Sequence, residues 1–356
     1  MYRDPYKKNY KRKVDSGNRF HNVLCLSEAK GMDIKMKFIK YRNMIVKYIG
    51  LEELIKRVEG KAVLGKGYLE IIDNWCGICD YEISFIETDN CRILYQEKRV
   101  VLEGDLDAIL SSTVVQCIIF LLYQKRNLYE NIVGLHASAL LKGKELIIFS
   151  GGKGSGKTSM AYLLSMKYDD VKLVANDYLE MRINDDETVT IVNSDYNSEI
   201  TFRSHVLYDL DRKLYKKLTG NEENVFNQDI KTNVDFVDLK EETIKCEKVS
   251  WYYVGLGKTS KFEATKKDGI QLQIELYKEL VQYLRGKVVV AIKSDRKTLA
   301  DYYIDSNGFF GEAEGKRIFR IIDKIIKDDS FRIEWVRGQG TEIERYVMGA
   351  SCIIQI

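Results

Sequence analysis

Leu146-Ile147-Ile148-Phe149-Ser150 followed by Gly151-Gly152-Lys153-Gly154-Ser155-Gly156-Lys157-Thr158-Ser159 and then Met160-Ala161-Tyr162-Leu163-Leu164 reads as an apolar strand, a glycine-rich loop and a helix. That order is what polyphosphate binding requires. Glycines let the backbone curl until successive N–H groups point inward at an anion, and the helix adds the positive end of its dipole beneath it. In such a P-loop, or Walker A loop, Lys157 reaches the β/γ-phosphates as a point charge and the Thr158 hydroxyl ligates Mg²⁺. The expected nucleotide-binding residues are therefore Gly151, Gly152, Lys153, Gly154, Ser155, Gly156, Lys157, Thr158 and Ser159, and the expected ligands are ATP or GTP with Mg²⁺.

The rest of the chain sets bounds on this core. Its 356 residues suffice for two domains of ordinary size, and 45% hydrophobic with 31% charged content suits a folded, soluble chain. The longest strongly apolar stretch, Thr113 to Tyr123, is interrupted by Gln116 and is too short to cross a bilayer. The first residues, Met1-Tyr2-Arg3-Asp4-Pro5-Tyr6-Lys7-Lys8, lack the apolar region of a secretory signal. No membrane partner is expected. With 56 basic against 53 acidic residues the net charge is only +3, which argues against a broad nucleic-acid footprint. Residues 1–20 are locally basic, with Arg3, Lys7, Lys8, Lys11, Arg12, Lys13 and Arg19 against Asp4 and Asp15, and read as a solvated, partly disordered tail, with an arm that binds an acidic partner or RNA as the alternative.

Seven cysteines, at 25, 76, 79, 91, 117, 246 and 352, are odd in number, and several sit inside apolar runs, as reduced core residues do. A cytoplasmic location follows as the expectation. Trp75-Cys76-Gly77-Ile78-Cys79 has redox-site spacing, but a thioredoxin site sets a cis-proline against its disulfide and the only proline here is Pro5. Zinc would need a second close Cys or His pair, which the sequence does not offer.

Along the chain, residues 32–58 carry a loose helical spacing. Short β-type runs at 68–72, 81–85, 92–95 and 99–102 predict a small antiparallel sheet, and apolar residues from Leu106 to Leu122 predict a helix with a broad buried face. Leu135 to Leu141 and Glu145 to Phe149, joined by Lys142-Gly143-Lys144, predict a hairpin whose second strand enters the loop at 151. Val171 to Ala175 reads as a strand ending at Asn176-Asp177, and 178–183 with 188–192 as a second hairpin. From Thr201 to Lys248 few apolar runs appear. Strand, helix and strand are expected at 249–254, 269–284 and 287–292, then a helix near 316–326 and strands near 331–336 and 353–354. The organisation so read is a basic arm at 1–20, an N-terminal α+β domain at 21–128 and a P-loop domain at 129–356, mixed α/β overall.

Gly134-Leu135-His136-Ala137-Ser138-Ala139-Leu140, the hairpin, Gly151 to Thr158, and Leu173-Val174-Ala175-Asn176-Asp177 together resemble the catalytic core of the HPr kinase/phosphorylase family, which is related in fold to phosphoenolpyruvate carboxykinase. The resemblance spans about residues 134–192. It implies an ATP-dependent kinase whose acceptor is a hydroxyl, foremost serine or threonine of a peptide or protein, with a small molecule as the alternative. By position it implies that Lys157 and the loop amides hold the phosphates, that Thr158 and Asp177 bind Mg²⁺, and that His136 lies near the transferred phosphoryl group. Relatives of this kind assemble into oligomers, so a homo-oligomer belongs among the expected partners.

The family usually carries two consecutive aspartates after the strand, the first acting as base, and here that position is Asn176. An amide takes no proton, but phosphoryl transfer relies mainly on positioning and charge neutralisation, so an orienting Asn is compatible with activity. His136 and Asp195 are alternative bases. The competing reading is a nucleotide-binding regulator without transfer chemistry, and a third is an NTPase that drives an assembly. Arg203 and Lys231 are candidates for cationic help over the phosphates, and Gly220 to Thr232 has the composition of a closing loop.

Overall fold

The computed structural model describes residues 34–59, 69–88, 92–110, 114–194, 199–223, 229–233, 236–237, 243–257, 261–284 and 310–349. The basic arm, the strands expected at 287–292 and 353–354, and Asp195 lie outside the described residues. The chain divides into two units, residues 34–59 and 70–110 falling in the first and residues 69 and 114–349 in the second.

In the first unit, β1 (Ile34–Tyr41) and β2 (Met44–Leu51) form a hairpin across Arg42-Asn43, with Arg42 in the left-handed region at φ 57°. The helical spacing read over 32–58 is thus corrected for most of its length. Only α1 (Glu52–Val58) is helical, burying Leu54, Ile55 and Val58. β3 (Glu70–Ile72), β4 (Tyr81–Glu87), β5 (Arg92–Gln96) and β6 (Arg99–Gly104) complete a sheet ordered β3-β1-β2-β4-β6-β5, followed by α2 (Leu106–Leu110). This sheet is mixed rather than antiparallel, because β2 pairs with β4 and β4 with β6 in parallel. Period-2 alternation says which face a residue takes, and nothing about strand direction.

The second unit begins with α3 (Val114–Leu128), buried along nearly its whole length, and continues with β7 (Ile132–Leu135), β8 (Ser138–Lys142) and β9 (Glu145–Ser150). Then come α4 (Lys157–Lys167), β10 (Val171–Ala175), and β11 (Leu179–Ile183) with β12 (Val189–Ser194) as the second hairpin. The stretch from 201 onward holds more structure than its composition suggested: β13 (Glu199–Arg203), α5 (Ser204–Leu210), α6 (Arg212–Thr219), β14 (Asp229–Asn233) and β15 (Ile244–Cys246). Residues 229–232, expected in a loop, belong to β14 and pair with β13. β16 (Lys248–Leu256), β17 (Glu263–Thr265), α7 (Gly269–Val281), α8 (Glu312–Lys327), β18 (Phe331–Gly338) and α9 (Gly340–Val347) close the unit.

Its main sheet is ordered β10-β8-β9-β16-β18-β17. The fold is therefore mixed α/β, with several sheets and helices. The apolar run of β9 is continuous because both faces are covered. Leu146 and Ile148 join one core, with β11, β12, α7 and α8, while Ile147 and Phe149 join another, with α4, β13 and α5. Among the described residues no helix is long and apolar enough to cross a membrane.

Strand direction decides where the loops gather. β9, β16 and β18 run parallel, β8 is antiparallel to β9, and β10 is antiparallel to β8. The carboxyl ends of β9, β10, β16 and β18 and the start of β8 consequently share one end of the sheet. Open α/β sheets bind ligands at that end.

Candidate functional site

The turn after β9 is shaped by glycines where side chains would not fit. Gly156, at φ 94°, caps α4, and a Cβ there would meet Leu256 Cδ1 at 2.0 Å. Gly151, at φ 144°, would bring a Cβ within 2.7 Å of Ser155 Oγ and 2.9 Å of the Val254 carbonyl oxygen. The loop is fastened from outside by the Leu256 N–H, which donates to the Ser155 carbonyl at 3.1 Å. Lys157 is 6% exposed and its ammonium donates to the carbonyls of Gly151 at 2.8 Å and Gly152 at 3.3 Å, which sets the charge over the first two residues of the turn. Ser155 Oγ is buried without a hydrogen-bond partner. Gly152, Lys153 and Gly154 are exposed, Thr158 is half-buried, and Ser159 is buried.

Ser138, at the start of β8 and fully buried, connects this turn to the end of β10. Its hydroxyl donates to the Asn176 carbonyl at 2.6 Å and stands 3.4 Å from Thr158 Oγ1. The Tyr283 hydroxyl donates to the next carbonyl, that of Asp177, at 3.1 Å. Asn176 is 8% exposed while Asp177 is exposed. Beneath this turn Tyr178 packs edge-on to Tyr283, with ring centroids 5.3 Å apart, and its hydroxyl donates to Glu180. Glu180 also accepts from Gln124 at 3.0 Å, Asn127 at 3.4 Å and Tyr123 at 3.2 Å, so the buried carboxylate is held by neutral donors. His136 is half-buried in the link between β7 and β8, two residues before Ser138.

The set expected to hold Mg²⁺ is an oxygen set, and oxygen donors are what that hard cation takes. The Thr158 hydroxyl, joined through Ser138 to the Asn176 carbonyl, and the exposed carboxylate of the next residue, Asp177, are oxygen donors that fit it. Arg203 ends β13 and Lys231 lies in β14, both exposed on a two-stranded ribbon whose inner residues Ile200, Phe202 and Ile230 pack in the α4 core.

A cavity of about 500 Å³ opens against Gly151 and Gly152, lined from β16, β17, α7 and β18. Its wall includes Tyr253, stacked on Trp335 with ring centroids 4.4 Å apart, and the carboxylates of Glu275 and Glu279. Burial, then the charges of Glu279 and Glu275, push the Tyr253 phenol well above its ordinary pKa. Neither these residues nor Ser138 stood out as functional in the sequence. The available signal was positional: Trp251-Tyr252-Tyr253 lies in a strand parallel to β9, with Tyr253 level with Ser150 where the glycine-rich turn emerges. No known family model matches the chain, and no curated protein matches it.

Proposed function

We propose that the chain is a P-loop kinase, similar to the HPr kinase/phosphorylase family, that transfers the γ-phosphoryl group of ATP or GTP to a hydroxyl acceptor in the cytoplasm. The observation that carries this reading is the meeting, at one sheet end, of the glycine-rich turn with Lys157 over its mouth, the Ser138 link from Thr158 to Asn176, and an adjoining cavity. In this reading the amides of 151–157 and the dipole of α4 bind the phosphates. Lys157 turns from the Gly151 and Gly152 carbonyls to the β/γ-phosphates, a short movement because those carbonyls border the same mouth. Mg²⁺, when bound, neutralises phosphate charge during transfer, with Thr158 and Asp177 holding it.

The acceptor oxygen attacks the γ-phosphorus, the bond to the β–γ bridging oxygen breaks, and the nucleoside diphosphate leaves with that electron pair. The acceptor proton passes to a base or to water. Asn176 orients the acceptor and His136 is the candidate base. The acceptor class implied by the resemblance is serine or threonine of a peptide or protein.

Asn176, standing where the family carries its catalytic aspartate, favours a second reading: a nucleotide-binding regulator without transfer. Incubating cell extract with the full chain and γ-labelled ATP, followed by mass spectrometry, tests the kinase. A phosphorylated species that disappears with Lys157→Ala supports it. Absence of any Lys157-dependent product, with label transfer appearing only in Asn176→Asp, favours the regulator.

A further inference from the structure

The cavity beside the turn has a chemical character of its own. Lys157 marks the β/γ end of a bound polyphosphate, and the two carbonyls it touches belong to Gly151 and Gly152, which also line the cavity. A molecule in the cavity therefore sits beside the terminal phosphate, where an acceptor must be. A volume of about 500 Å³ suits a small molecule or a few side chains rather than a folded surface.

The walls favour positive charge. Three carboxylates, Glu263, Glu275 and Glu279, face two cationic side chains, Lys267 and Arg337. Glu263 and Arg337 are direct partners across the β17–β18 register. Lys267 shows how the cavity treats an ammonium: its Nζ lies 4.3 Å from the centre of the Trp335 ring and 3.7 Å from Glu275, a cation over an indole face with a carboxylate alongside. Glu275 is shared with Lys278 at 3.2 Å, and Glu279 accepts from the amide of Gln282 at 3.4 Å.

A second and independent feature points to a ligand. Tyr253 is 8% exposed, lines the cavity, and its hydroxyl has no hydrogen-bond partner. Buried hydroxyls are ordinarily satisfied, and an orphan one on a cavity wall is ready to bond whatever enters.

Resting on the kinase reading above, we propose that this cavity is the acceptor site and that it selects a cationic acceptor, a hydroxyl compound bearing an ammonium or guanidinium group near the reacting oxygen. Glu279, with Glu275, holds the cation, and the Tyr253 hydroxyl bonds the acceptor. An anionic acceptor is repelled by this wall and by the polyphosphate alike, and a cationic one is attracted by both. The protonated nitrogen has no lone pair for attack, so the hydroxyl is the group phosphorylated. A free amino alcohol and a serine flanked by basic residues share this chemistry.

Calorimetry on the full chain, loaded with Mg²⁺ and a non-hydrolysable ATP analogue, separates the possibilities. The probes are a blocked Arg-Ser-Arg tripeptide against Gln-Ser-Gln, and ethanolamine against ethylene glycol. The cationic member of at least one pair is expected to bind ten-fold or more tightly than its neutral counterpart, and the pair that does so names the source. Glu279→Gln should erase most of that preference, and Tyr253→Phe should weaken the cationic probe about three-fold with ring stacking retained. Equal binding of charged and neutral probes, or binding of none, overturns the inference. The loading step is read separately: failure of the analogue to bind sinks the kinase reading itself, whereas normal loading without charge preference sinks only the cationic acceptor.

Discussion

Two buried polar groups flank the glycine-rich turn and are treated in opposite ways. On the β10–β11 side, Glu180 is fully buried and accepts from Tyr178, Gln124, Asn127 and Tyr123. On the β16–β18 side, the Tyr253 hydroxyl is nearly as buried and bonds to nothing. A satisfied network fixes geometry, because each member loses a partner if another moves. An unsatisfied group costs free energy in folding and persists where a ligand repays it. The difference suits the proposed division of labour, in which the Glu180 side holds the Asn176–Asp177 turn still and the Tyr253 side meets the acceptor.

Breaking the turn between them should have the largest effect. Gly156→Ala forces a side chain into a left-handed conformation, costing about 1–2 kcal/mol, and drives its Cβ into Leu256. ATP affinity measured by calorimetry should fall at least a hundred-fold. The double variant with Leu256→Ala should recover only the part of the loss due to the clash, because the backbone strain stays.

Next in size is Glu180→Leu. It strands several buried donors and should lower stability in urea unfolding by about 4 kcal/mol. A loss under about 0.5 kcal/mol would mean the network holds nothing.

The same side contains a pH test. Lys125 and Glu314 pair at 2.9 Å between α3 and α8, both largely buried. Burial opposes ionisation of Glu314, but hydrogen bonds from Lys125 and the Gly311 N–H outweigh it and hold the carboxyl below its usual range. A depressed folded value stabilises above the unfolded pKa, and that contribution is lost as pH falls through the folded one. Glu314→Gln should therefore cost about 2 kcal/mol near neutrality. The gap to wild type in thermal melts should close as the solution is acidified.

The smallest effect is expected at Tyr253→Phe. Removing a hydroxyl without a partner should change stability by no more than about 0.5 kcal/mol in either direction. A large loss would show that the hydroxyl is structural and would erase the contrast with Glu180.

What was legible in the sequence was local. The turn at 151–158 and the helix after it were legible because glycines stand where the backbone takes positive φ, and the hairpins at 138–150 and 179–194 follow from apolar runs around short polar links. Residues 34–51 misled because Lys, Ile and Tyr recur at spacings that serve a helix and a strand alike, and pairing with β3 and β4 chose the strand. The region after 201 was opaque because β13 finds its partner β14 about 30 residues on, while α6 is short and mostly polar. The cavity was invisible for the same reason at larger scale: Tyr253, Lys267, Glu279 and Trp335 come from three elements and a connecting segment, over more than eighty positions. Ser138 was quoted within a motif, yet only the fold shows it joining Thr158 to Asn176.

The central claim is that the turn at 151–158 cradles a polyphosphate with Lys157 at its terminal end. Calorimetry of the folded full chain with ATP and with GTP, in the presence of Mg²⁺, tests it most directly. Saturable binding of at least one nucleotide at a single site, lost in Lys157→Ala, is the expected result. No heat from folded wild-type protein, or undiminished binding by the Lys157 variant, would contradict it.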